Sequence, residues 1–266
     1  DDPVLGWQWV RDELDGGRPV MVWADIAELP YLRVRLQMSR HDIVVVGYDD
    51  DEQIAYVVDN DRDDVQQVPY DALTRARSST AFPMPTRHAT FVVEWPRHAP
   101  DLAPAAAEAF AASARALRTG GPDLVDPTLL PDGSVMGTGL DGVQLFADDV
   151  ARWSELWDDE TLTSALRALP VFVEKAGTGG GLFRRLQAAA CHDVASRTGS
   201  HAVRVAAEAY DRCSAAWSEL GAAAVSPASL TRRARDAAAV AQSLPSLERV
   251  AVDALQLAAD DLQHDR

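Results

Sequence analysis

The chain has 266 residues, with 41 acidic against 25 basic side chains and a formal charge of −16. Such a length suggests one large domain or two modest ones, and 47% hydrophobic with 25% charged residues excludes the disordered and fibrous classes. The acidic balance argues against wrapping a nucleic-acid backbone, which takes a basic stripe, and no apolar run reaches the ~20 residues of a membrane span.

Taken in order, residues 4–14 predict a helix. Val20-Met21-Val22-Trp23 predicts a short strand after Gly16-Gly17 and Pro19. Ile43 to Tyr48 is almost wholly apolar, as in a strand covered on both faces. Asp49-Asp50-Asp51-Glu52 predicts a turn and residues 54–58 the returning strand. A shorter helix over 71–78 and a strand over 90–95 complete the first part. From Asp101 the period becomes helical. Asp101 caps a helix that Gly120-Gly121 stops. After a loop over 122–141, Phe146, Val150, Trp153 and Leu156 recur at helical spacing. Val203, Ala206, Tyr210, Cys213, Trp217 and Leu220 form the clearest amphipathic stripe. Ser226-Pro227 reads as the start of a further helix, and two alanine-rich helices divide around Pro245. The fold class is therefore α+β, with residues 1–98 mixed and residues 99–266 a helical bundle.

His41 and Asp59 are the most informative pair. If Tyr48 and Ile54 flank the turn, opposed residues sum to about 102, which makes His41 and Asp59 diagonal neighbours at the open end of the hairpin. A carboxylate beside one imidazole nitrogen fixes the tautomer and leaves the other nitrogen as a base. A strand-edge histidine next to a solvated turn has the same composition. Gly177, Thr178, Gly179, Gly180 and Gly181 precede a helical segment, and such a loop can cradle an anion with Arg184 adding charge. A close helix–helix approach explains the glycines equally well. The Lys-Ser/Thr of a nucleotide-binding P-loop is absent. Glu174-Lys175 fits a site or, better, a surface pair, and Arg232, Arg233 and Arg235 read as a solvated basic face open to an acidic carrier protein.

Cys191-His192-Asp193 resembles a triad on paper, but neighbours on a helix point about 100° apart. Cys213 falls on the apolar stripe, as core packing would have it. His88 and His98 flank a strand with no cysteine or carboxylate at ligand spacing, so neither a metal nor any other cofactor is expected. Two cysteines are too few for a disulfide framework and fit a reducing, cytoplasmic compartment.

The segments Pro19–Asp25, Leu29-Pro30-Tyr31, His41–Asp49 and Val58-Asp59, with the later Gly177–Arg184 and Tyr210–Trp217 blocks, resemble the BtrH-like proteins of butirosin biosynthesis. The resemblance implies the latter half of a papain-like (cysteine-protease-like) α/β domain followed by that family's helical domain. It implies a Cys-His-Asp arrangement completed by His41 and Asp59, and a pocket that Asp25, Tyr31 and Tyr48 could line. The resemblance implies that the family's nucleophilic cysteine lies upstream of the histidine, in a half-domain expected to be missing from this chain. The opening Asp1-Asp2-Pro3, without a methionine, agrees with a cut start. Trp7, Trp9 and Trp23 lie where the missing half would pack and are expected to face a partner.

Three functions follow. The first is a split natural-product enzyme, completed by a small protein subunit and acting on an amino acid tethered to an acidic carrier protein. There His41–Asp59 promotes amine cyclisation with loss of an anionic leaving group, as in the two-component, aziridine-forming enzymes of azabicyclohexane antibiotic pathways. The second is a carrier-dependent acyltransferase whose cysteine lies in the missing half. The third is a non-catalytic, partner-binding remnant.

Overall fold

The computed structural model describes residues 1–94, 96–120, 136–175 and 178–264. They form two units, one from Asp1 to Arg97 and a second that takes up the chain at His98.

In the first unit, Asp2 accepts the N–H groups of Val4 and Leu5 and starts helix α1 (Pro3–Asp15), with proline in the first turn where no donor is lost. Five strands follow: β1 (Val20–Ala24), β2 (His41–Asp49), β3 (Ile54–Val58), β4 (Gln66–Pro69) and β5 (Thr90–Phe91). They form one sheet in the order β4-β3-β2-β1-β5, and each neighbouring pair is antiparallel. Strands β1 to β4 are consecutive neighbours, and the chain then crosses by way of α2 (Tyr70–Arg77) to set β5 on the other side of β1. Helix α2 (Tyr70–Arg77) buries Ala72, Leu73 and Ala76 against Val20, Val22, Ile43, Val45, Ala55 and Val57.

The expectation that β2 is covered on both faces is corrected. Ile43 and Val45 are fully buried while Val46 is 41% exposed, the alternation of an antiparallel strand. A β-bulge lies between Val45 and Gly47: opposed residues sum to 103 from the turn to Gly47–Tyr56, then to 102 beyond it. Strand β5 is shorter than the 90–95 expected, stopping at Phe91; Trp95 is outside the described residues. Strand β4 has no counterpart in the sequence reading, since Gln66-Gln67 lacks strand propensity and gains its place by pairing with β3.

The second unit is helical: α3 (Leu102–Thr119), α4 (Gly139–Leu156), α5 (Asp159–Pro170), a π-turn (Val171–Lys175), α6 (Arg184–Thr198), α7 (His201–Ala224), α8 (Leu230–Ala241) and α9 (Leu244–His264). Helix α7 is its spine. All six residues of the expected stripe are buried: Val203 to Cys213 in one apolar cluster with α3, α6 and α9, and Trp217 and Leu220 in a second with α4, α5 and α8. Two boundaries differ from expectation. Ser229, not Ser226, caps α8 through the Arg232 N–H. In α4 the buried stripe is Val143, Ala147, Val150 and Trp153, and Leu156 is exposed. Pro245 sits in the first turn of α9, where its missing N–H costs no helical hydrogen bond. No helix among the described residues is long and apolar enough to cross a membrane.

Candidate active site

His41 opens β2 and Asp59 follows the last residue of β3. The ladder register makes them diagonal neighbours, and His41 Nε2 lies 2.7 Å from Asp59 Oδ2. The Asp59 side chain is fully buried, whereas that of His41 keeps 22% of its surface. The same Oδ2 accepts the Tyr31 hydroxyl at 2.6 Å, and Oδ1 accepts the Asp61 N–H at 3.0 Å. Arg62 donates to the Tyr31 carbonyl at 2.8 Å, tying the two loops together behind the carboxylate.

Burial pushes the Asp59 carboxyl upward, but the Tyr31 hydroxyl, His41 and the Asp61 N–H outweigh it and hold the group below the ordinary carboxylate range. The Tyr31 phenol is pushed far up by burial and by Asp59, so it keeps its proton. An ionised Asp59 can only accept. Nε2 of His41 must then be the protonated nitrogen, which leaves the lone pair of a neutral ring on Nδ1. Nδ1 has no hydrogen-bond partner among the described residues. The arrangement is a base whose second nitrogen is anchored by a buried anion.

Of the other residues expected in this pocket, the structure joins only Tyr31 to the pair. Asp25 is a correction: it is buried and accepts from the Ala27 and Met38 N–H groups and the Ser79 hydroxyl, so both oxygens fasten the 25–39 segment rather than face a ligand. Tyr48 is another, for it sits at the opposite end of β2 with its hydroxyl on Asp15 at 2.7 Å and its ring against Trp7. Trp7 and Trp23 are likewise taken up within the unit, by Tyr70 and by Phe91. Trp9 is half exposed.

The glycine loop also departs from the anion-binding expectation. Gly177 lies outside the described residues. Thr178 is buried and donates its hydroxyl to the Val173 carbonyl. The Gly181 N–H points at Glu174, that of Leu182 goes to Val173 and that of Phe183 to Thr178. A carboxylate at this loop is the opposite of what a bound anion requires. Arg184 is engaged too: its Nε donates to Glu248 at 2.6 Å, and its side chain is 14% exposed against 0% for that carboxylate. Gly179, Gly180 and Gly181 all have positive φ, and a Cβ on Gly181 would overlap Ser214 Oγ on α7. The glycines serve backbone conformation and close approach.

Neither thiol can act as a nucleophile at neutral pH. Burial pushes Cys191 up to about 11 and Cys213 up to about 12. His192 pairs instead with Asp211 on the surface, 2.8 Å away. Arg232 and Arg235 of the basic cluster face Asp236, which neutralises part of it. No group of three or more His, Cys, Asp or Glu suited to a metal occurs among the described residues.

A feature missed from sequence lies just before His41. The loop over 32–37 exposes Arg33 and Arg35 beside Val34 and Leu36, and neither arginine has an ion pair among the described residues. The loop is held at both ends, by Tyr31 on Asp59 and by Met38 on Asp25. The signal was present as basic residues alternating through an acidic chain.

Two family models match. Residues 71–255 match a domain of unknown function, DUF4872, and residues 1–60 match the N-terminal model of butirosin biosynthesis protein H. No curated protein matches the chain.

Proposed function

The chain belongs to the DUF4872 family, and we propose that it is a biosynthetic enzyme in which His41, anchored by Asp59, is the catalytic base. The match of residues 1–60 to the butirosin protein H model supports an enzyme of secondary metabolism. The observation that carries the reading is the buried, ionised Asp59 on Nε2, which leaves Nδ1 to take a proton.

The reaction we favour is intramolecular cyclisation of an amine on an amino acid tethered to a carrier protein. Nδ1 removes a proton from the amine as nitrogen forms its bond to a neighbouring carbon. The bond from that carbon to an anionic leaving group breaks, and the electron pair departs with the anion. The imidazolium so formed is stabilised by Asp59, whose negative charge Tyr31 and the Asp61 N–H keep in place. Substrate, base and leaving group together need no enzyme nucleophile, which agrees with the inert state of both thiols. A small subunit completing a papain-like domain, with half-exposed Trp9 among the residues it would cover, belongs to the same proposal. Arg33 and Arg35 give an acidic carrier a basic landing place close in sequence to the base.

Acyl transfer is the second reading, and the His41–Asp59 pair serves it equally, with a thiol supplied from outside the described residues. Mass spectrometry of the protein with its small subunit and a loaded carrier separates the two. Ring closure gives a product lighter by the protonated leaving group and no covalent enzyme adduct. Acyl transfer gives a trapped thioester. His41→Ala is expected to abolish either reaction with an unchanged circular dichroism spectrum, and full activity in that variant would remove both readings.

A further inference from the structure

Beneath α1 in the first unit is a half-open cavity of about 430 Å³, within the usual range for small-ligand sites. Its walls include Trp7 and Gln8 of α1, Tyr70, Leu73 and Arg77 of α2, and His88. Arg77 is the unusual member. It is 2% exposed, among the most fully buried large side chains of the protein. Its Nη2 donates to the His88 carbonyl and the Thr90 hydroxyl, both at 2.9 Å, while Nη1 reaches only the Gly6 carbonyl at 3.4 Å. Nε has no acceptor. Every partner is neutral, and burial alone draws the group down to about 10, with no acid near enough to oppose it.

A buried guanidinium without a carboxylate is costly, and proteins ordinarily pair it. Here 41 acidic residues are available in the chain, yet none lines this cavity. Arg11 at the rim is already matched by Asp50, 2.9 Å away. His88 also lines the cavity, held below the ordinary imidazole range by burial and by Arg77, with its Nε2 on the Ser78 hydroxyl at 3.0 Å. A purely structural role accounts for the carbonyl contacts of Arg77. It does not account for an open, acid-free cavity beside the charge. The lining is also aromatic, with the Trp7 and Tyr70 rings in contact at 4.9 Å.

We propose that this cavity binds a small organic carboxylate, its anionic end at Arg77 and its apolar body against Trp7, Tyr70 and Leu73. The site shares no residue with the His41–Asp59 pair and stands whether or not that pair is catalytic.

Benzoate and its neutral isostere benzamide test it by isothermal titration of the full chain. Benzoate is expected to bind saturably in the millimolar range or tighter, with benzamide at least about tenfold weaker, the ratio a charge-assisted hydrogen bond supplies. Thr74→Trp, on the exposed side of α2 at the cavity wall, is expected to abolish benzoate binding, and the Trp7 indole N–H resonance to shift only in the parent protein. Equal affinity for the two probes, no saturable binding of benzoate, or unchanged binding in a folded Thr74→Trp variant would each overturn the assignment.

Discussion

Asp59 in the first unit and Glu248 in the second are both buried carboxylates, and they are used in opposite ways. Asp59 is bound to a histidine, whose ring can take up or release a proton and which here keeps a face open. Glu248 is bound to Arg184 and to the Trp217 indole N–H at 2.7 Å, partners that keep their protons at any ordinary pH. The first arrangement can do chemistry, because one of its members changes state. The second can only hold α6, α7 and α9 together. Burial and short distances are common to both, so neither identifies a site; what separates them is whether the partner titrates and whether solvent reaches it.

Variants should separate the two carboxylates further. Asp59→Asn is expected to lower turnover by on the order of 10³-fold or more, since the amide no longer fixes the ring tautomer. Its melting temperature should change far less than its rate. Glu248→Ala is expected to do the reverse. Leaving Arg184 buried and unpaired costs about 3–5 kcal/mol, on the order of 10 °C in a thermal melt, with the rate per folded molecule retained. The double variant Arg184→Met with Glu248→Leu should recover most of that loss, because an apolar pair of similar volume replaces a desolvated one. A double variant as unstable as Glu248→Ala would show that the charge pair does more than fill space.

Tyr31→Phe sharpens the comparison from the catalytic side. It removes one hydrogen bond from Asp59, worth about 1 kcal/mol of stability, and should reduce turnover about tenfold without abolishing it. The smallest effect is one of pH. Asp59 is held below its unfolded value, near 3.9, so its contribution to stability is fully present above that value and is lost as pH falls through the folded one. Thermal melts should therefore be insensitive to this group between pH 5 and 8 and fall below about pH 4. In Asp59→Asn the acid-induced drop should be shallower.

Much of this was legible in the sequence, for identifiable reasons. The hairpin could be counted because side chains alternate and the acidic turn fixed its centre, so His41 and Asp59 came within reach on paper. The α7 stripe was visible because six large or small apolar residues hold one period over five turns. Tyr31 on Asp59 was not legible as a contact, since a loop carries no period with which to place a hydroxyl 28 residues away. Arg184 was assigned to an anion because its buried partner lies 64 residues on. That partner did leave a trace. Leu244, Glu248, Ala251 and Leu255 follow a four-three-four spacing, which sets an acid on an apolar stripe. Arg77, four residues after Leu73, stands on the buried side of α2 in the same way. A charge in register with a hydrophobic stripe deserves a search for its counterion, and the absence of one is equally informative.

The bulge in β2 has a consequence for how this hairpin tolerates changes of length. Between Val45 and Gly47 the strand carries one residue more than β3 needs to face it. Deleting Val46 would leave a regular ladder in which Ile43, Val45 and Tyr48 keep the sides of the sheet they now occupy, and His41 keeps its distance to Asp59. In most strands the loss of a single residue turns everything beyond it inside out. Here the chain holds a spare, and the hairpin should survive a deletion that would invert its neighbours.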